Sequence, residues 1–246
     1  MTNVWISAAG LALATIIGSV LGLIVKRLPH KWNDALLGYC AGAMLAAATI
    51  GLLIPAAEQA GDNKWWIVCA GVILGLLFLN LLDDLIPHLH KLTGLDKEEH
   101  INNSSVNKIL LFVLTIAIHK LPEGIAAGVG FNSADTTAAW DVTIGIAIQN
   151  IPEGMVVIAP LLMAGVSTWR TFLISLAIAG LEVIGVWIGY GFGSISEKFL
   201  PAMLAFAGGA MLYVVSDEMI PETHAHGYEK IATYALLAGF LTILFV

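Results

Sequence analysis

Apolar stretches of about twenty residues, the length a helix needs to cross the hydrocarbon core of a bilayer, recur eight times in this chain: 4–25, 35–58, 65–87, 106–131, 142–165, 171–193, 199–221 and 229–246. A backbone in hydrocarbon must satisfy its own hydrogen bonds, so such stretches are read as helices. The expectation is an all-α, polytopic membrane protein with eight transmembrane helices in a single domain over 1–246. Composition agrees: 12% of residues are charged, against about 25% in soluble domains. The first stretch has neither a basic leading region nor a clear small-x-small cleavage site, and reads as a retained helix. Cys40 and Cys69 fall inside apolar stretches, which suggests neither a disulfide framework nor a CxxC metal site. The polar segment 88–105, with three histidines, is expected to be a mobile cytoplasmic loop, too short for a catalytic fold. No Walker A sequence is present, which argues against ATP hydrolysis.

Basic residues mark cytoplasmic loops. Lys26, Arg27, Lys31, Lys91, Lys97, Lys108, Arg170 and Lys230 fall in one set of connections, and only Lys64 and Lys198 in the other. With an even number of spans, both termini are expected outside the cytoplasm. Span two and span seven align at a single offset: Ala41 with Ala207, Gly42 with Gly208, Ile54 with Ile220 and Pro55 with Pro221. Five spans separate them, so one is upside down relative to the other. Spans 1–3 and 6–8 are therefore expected to form an inverted repeat around a central pair, spans four and five. Inverted repeats with broken helices at the midplane are characteristic of secondary transporters.

That central pair carries the chemistry. His119-Lys120-Leu121-Pro122-Glu123-Gly124 is followed by Gln149-Asn150-Ile151-Pro152-Glu153-Gly154. Each copy puts a carboxylate where hydrocarbon is expected. On a helix, His119 and Glu123 share one face, as do Gln149 and Glu153. Pro122 and Pro152 have no N–H, so the carbonyls of Ile118 and Ile148 lose their helical partners. Carboxylate, imidazole, amide and carbonyl groups on two bent helices make a cation site. Imidazole favours zinc, iron, copper or nickel over magnesium or calcium, and the absence of thiolates disfavours Cu(I). Glu182 is a lone ionisable residue in span six, and such residues mark function by default. Glu218 and Glu222 share a face of span seven, followed by His224.

These residues resemble the ZIP (Zrt-/Irt-like) metal transporters, in particular the bacterial GufA-like branch. The paired Pro-Glu-Gly motifs and the Asp-Glu-Met-Ile-Pro-Glu-Thr-His run at 217–224 carry the resemblance over essentially the whole chain. It implies uptake of zinc and related divalent ions toward the cytoplasm, in the cell membrane, with the protein often working as a homodimer. It implies His119, Glu123, Gln149 and Glu153 as the main transport site and Asn150 and Glu182 as ligands of an adjacent second site. It also implies Glu222 and His224 as part of the cytoplasmic exit. The ligand set admits zinc, cadmium, iron, manganese and cobalt; no organic cofactor and no nucleic acid partner are implied.

One position departs from the family pattern, which commonly has Asn after the span-four His. Here it is Lys120. An ammonium cannot ligate a cation, so a single-metal site is expected, with Lys120 in place of a second ion. The alternative is a Lys120 that loses its proton and becomes a ligand. Two other functions compete with transport: a proton conductor using Glu and His as a relay, and an intramembrane zinc-dependent hydrolase. The latter is disfavoured by the lack of HExxH and the single midplane histidine.

Overall fold

A computed structural model describes residues 1–26, 28–61, 64–85, 119–132, 136–163, 165–194 and 199–245; for 83–85 it describes the backbone alone. The 88–105 segment, with His88 and His90, and the Ile118 carbonyl lie outside the described residues. Among the described residues the regular structure is entirely helical. Helix α1 spans Thr2–Val25, α2 His30–Ala60 and α3 Trp65–Leu85. Helix α4 is described over 119–129. Helix α5 spans Thr137–Met163, α6 Thr168–Gly193, α7 Leu200–Thr223 and α8 Glu229–Leu244. Six of these, α1, α2, α3, α5, α6 and α7, are long and apolar enough to cross a membrane.

The burial pattern is that of a membrane protein. Leu13, Ile73, Leu74, Leu77, Leu81 and Ile184 are exposed, while Ser7, Thr15, Ser19, Lys120, Glu123, Asn150 and Glu182 are buried. In water that distribution would be costly; against lipid tails it is the stable one. Trp5, Trp32, Trp65, Trp66 and Trp169, all exposed, sit in the first turns of their helices. Amphipathic indole rings favour that headgroup level.

Two helices change winding at matching places. Residues Ala47–Leu53 of α2 and Val215–Met219 of α7 are π-helical, and each stretch ends directly before an Ile-Pro pair, Ile54-Pro55 and Ile220-Pro221. A proline ring clashes with the carbonyl four residues back and offers it no hydrogen bond. Widening the preceding turn relieves that clash without breaking the helix.

The helices pack as two groups. Helix α2 lies along α8, and α3 along α7; α1 lies along α5 and α6, and α5 along α2. Glycines set the closest approaches. A Cβ at Gly18 would run into the Ile151 carbonyl, and one at Gly22 into the Met155 carbonyl. On the other side of the site, a Cβ at Gly185 would meet the Leu121 carbonyl and one at Gly189 the Ile125 carbonyl. Small-xxx-small ridges of this kind let helix backbones touch in a membrane, where dispersion replaces the hydrophobic drive. A buried Ser7–Thr143 hydrogen bond of 3.0 Å further ties α1 to α5.

Candidate metal centre

The two Pro-Glu-Gly motifs face each other across α4 and α5, with the Lys120 ammonium between them. Its Nζ donates to Glu123 Oε2 at 2.6 Å, to Asn150 Oδ1 at 2.6 Å and to Glu153 Oε2 at 2.7 Å. An ammonium has three donors, and all three are used. The second Glu123 oxygen, Oε1, accepts from Gln149 Nε2 at 3.2 Å. Asn150 passes the network on: its Nδ2 donates to Glu182 Oε1 at 2.7 Å and reaches the Leu11 carbonyl at 3.5 Å. Glu182 Oε2 accepts from Thr15 Oγ1 at 3.1 Å. Lys120, Glu123, Gln149, Asn150, Glu153 and Glu182 are all buried. When ionised, three carboxylates face one ammonium, and the cluster carries an excess of negative charge in a low-dielectric region, a costly state.

His119 takes a different partner from the one helical spacing suggests. Its Nε2 lies 2.8 Å from Glu218 Oε1 on α7, so the imidazole bridges α4 and α7 rather than resting on Glu123. Both Glu123 oxygens are already engaged, and the π-turn of α7 carries Glu218. Among the described residues no three His, Cys, Asp or Glu side chains stand gathered around one point. Lys120 occupies the space between Glu123 and Glu153, and His119 points toward Glu218. Gln149 Oε1 is buried without a hydrogen-bond partner, an acceptor left open in the middle of the cluster.

Glu222 and His224 are outside this network, at the end of α7. Glu222 is half-buried and His224 exposed, with its Nδ1 2.8 Å from the Ile220 carbonyl. Near the other end of α2, Glu58 and Gln59 line a cavity of about 330 Å3 with Pro55, Ala126 and Val142. Three contributors had no sequence signal strong enough to single them out. Thr15 and the Leu11 carbonyl come from α1, whose sequence reads as a plain span. The Cys40 thiol, also buried, lies 3.6 Å from the Gln149 backbone carbonyl. Thr15 and Ser19, four residues apart in an apolar span, were the available hint: a polar stripe buried in a bundle needs a polar partner.

A helical membrane protein with a buried cluster of carboxylates, amides and one ammonium on two proline-containing helices has the form of an ion transporter, and comparison with known proteins agrees. Residues 90–246 match the family described as ZIP zinc transporter. The chain is 39% identical over 246 residues to zinc transporter ZIPB of Bordetella bronchiseptica, covering 97% of this chain and 78% of that protein. It is 39% identical over 237 residues to zinc transporter GufA of Myxococcus xanthus, covering 94% and 92%. Zinc transporter ZIP11 of Homo sapiens is 31% identical over 314 residues, covering 94% and 92%. The chain belongs to the ZIP family of zinc transporters, which are transport proteins rather than enzymes.

Proposed function

We propose that this chain takes up a divalent transition metal toward the cytoplasm, zinc first, through a single-metal site on α4 and α5. The observation that carries this reading is the Lys120 ammonium seated between Glu123 and Glu153. One divalent ion beside that ammonium cancels the three carboxylates of Glu123, Glu153 and Glu182. A second divalent ion would leave an uncompensated positive excess in the membrane interior, where unpaired charge is costly. His119, Glu123, Gln149 and Glu153 are the ligands in this reading, with the open Gln149 Oε1 among them. Lys120 stands where a second ion would stand, beside Asn150 and Glu182. Cadmium, iron, manganese and cobalt suit the same mixed oxygen and nitrogen ligands.

The same residues outline a path. The cavity of about 330 Å3 opens beside Glu58, the outer end in the orientation that the basic residues favour. Toward the opposite end, the His119–Glu218 bridge joins α4 to α7. Release of the ion inward uses Glu218, Glu222 and His224 once that bridge parts. Alternating access is a displacement of the α1, α4, α5, α6 group against the α2, α3, α7, α8 group, with the metal carried between the two.

Eight spans, one transporter domain over 1–246 and an inverted repeat complete this reading, and the packing supports the repeat. Gly18 faces the Ile151 carbonyl as Gly185 faces that of Leu121; Gly154 faces the Thr15 carbonyl as Gly124 faces that of Glu182. Helices α2 and α8 pair as α7 and α3 do, and α2 and α7 each carry a π-turn before Ile-Pro. Extracytoplasmic termini, a cell-membrane location and a homodimer belong to the same reading, the last from the family resemblance.

Metal uptake by the purified protein in liposomes tests the proposal. Wild type loads zinc, and Glu123→Ala reduces the rate to that of empty vesicles. Equal uptake by wild type and variant removes the site from α4 and α5.

A further inference from the structure

One group of side chains has no part in the transport path. Asp34, in the second turn of α2, is completely buried. Its Oδ1 lies 3.0 Å from Nδ1 of His226, in the turn between α7 and α8. Its Oδ2 is buried and has no hydrogen-bond partner. His30, one helical turn before Asp34, stacks on His226 with ring centroids 4.5 Å apart and planes 26° from parallel. Gly227, at φ 83°, supplies the turn that brings His226 back over the start of α2.

A carboxylate only accepts, so Nδ1 of His226 is the donor and its Nε2 carries the free lone pair. A carboxylate on one ring nitrogen and an open lone pair on the other is the arrangement by which metal-ligating histidines are oriented and made more basic. A latch that merely held the turn in place would need neither a second imidazole against the first nor a buried carboxylate oxygen left open. His30 is exposed, so its ring can turn within the patch it shares with His226. Two imidazoles suit a borderline divalent ion such as zinc. With water filling the remaining positions the ion stays exchangeable, unlike one in a closed four-ligand cage.

We infer that His226 and His30, with Asp34 as the residue that positions His226, form a second metal site that binds zinc outside the membrane core. The site lies at the same end of α7 as Glu222 and His224. In the orientation proposed above that end is cytoplasmic, and the site takes up ions as they leave the transport path. Its metal chemistry does not depend on that orientation.

Zinc titration of the full-length protein in detergent tests the inference, in a Glu123→Ala background that disables the transport site. That background binds zinc, His226→Ala and His30→Ala each weaken the binding at least about tenfold, and Asp34→Asn weakens it about 10–100-fold, the usual effect of removing a carboxylate behind a ligating histidine. Cobalt added in place of zinc gives a visible ligand-field band that His226→Ala removes. If Glu123→Ala fails to fold, the wild-type chain serves, and the count of bound zinc falls by one in His226→Ala. Zinc affinity unchanged in both histidine variants overturns the site. So does an Asp34→Asn variant that melts earlier yet binds zinc as before, which assigns the Asp34–His226 pair to holding the turn. Failure of the transport site is read separately, in liposome uptake.

Discussion

The two Pro-Glu-Gly motifs share a backbone setting and differ in chemistry. Gly124 of α4 packs on α6, and Gly154 of α5 packs on α1, through equivalent carbonyl contacts. The polar heads then diverge. Helix α4 carries a cation, Lys120, that gathers Glu123, Asn150 and Glu153, whereas α5 carries an amide, Asn150, that relays the network to Glu182. His119 reaches out to Glu218, while its counterpart Gln149 turns in to Glu123. The neighbours differ as well: α6 supplies Glu182 where α1 supplies Thr15, and those two side chains meet. A near-symmetric frame thus holds an asymmetric charge pattern, with the ammonium on one side only. Backbone contact demands small residues in both halves; the polar positions are free of that demand and can diverge.

The frame is the most sensitive part of this comparison. Gly185→Leu and Gly18→Leu drive side chains into the Leu121 and Ile151 carbonyls, and each is expected to abolish recovery of folded protein on size-exclusion chromatography. Overpacking of backbone contacts exceeds the usual 1–3 kcal/mol of side-chain overpacking. Gly180→Ala is the control, because a Cβ there meets nothing within 4 Å; its melting curve should match wild type. Two halves that respond very differently would break the equivalence.

The next effect lies in the charge. Lys120→Met leaves Glu123 and Glu153 facing each other without their ammonium. Breaking a buried pair from one side costs about 3–5 kcal/mol, seen as a lower melting temperature in metal-free buffer that zinc largely restores. Lys120→Asn makes position 120 resemble position 150. The metal bound between α4 and α5, located and counted by anomalous scattering, should rise from one ion toward two; a count there that stays at one, or a wild type that already holds two ions there, sinks the charge-substitution account.

Smaller effects sharpen the contrast between the flanking helices. Asn150→Ala cuts the link from Lys120 to Glu182 and leaves two buried charged groups each one bond short, a loss of about 1–3 kcal/mol. Thr15→Val keeps the shape and removes one hydroxyl donor from Glu182, with an expected cost of about 1 kcal/mol and a modest fall in uptake.

Much of this was legible in the residues themselves. Long apolar stretches could only be helices in lipid, because hydrocarbon offers the backbone no other partner. Two carboxylates in such stretches required a counter-charge, and Lys120 was the one cation in sequence beside them. The offset alignment of Ile54-Pro55 with Ile220-Pro221 related span two to span seven, and both helices widen directly before those residues. Spacing also placed His119 and Glu123 on one helix face, but a face is a direction and not a contact. Which partner a side chain takes depends on helices far away in the chain, and Glu218, on a π-turn of α7, took the imidazole. The same limit hid Thr15 and the Leu11 carbonyl, since α1 reads as packing until α6 and α5 lie against it. Helical structure, membrane setting and the charge content of the site were determined by the sequence alone, because each follows from local composition and periodicity. The pairing of those charges, the place of α1 in the network and the meeting of Asp34 with His226 were decided only by tertiary structure, because hydrogen bonds form between atoms within about 3 Å of each other, however far apart they lie along the chain.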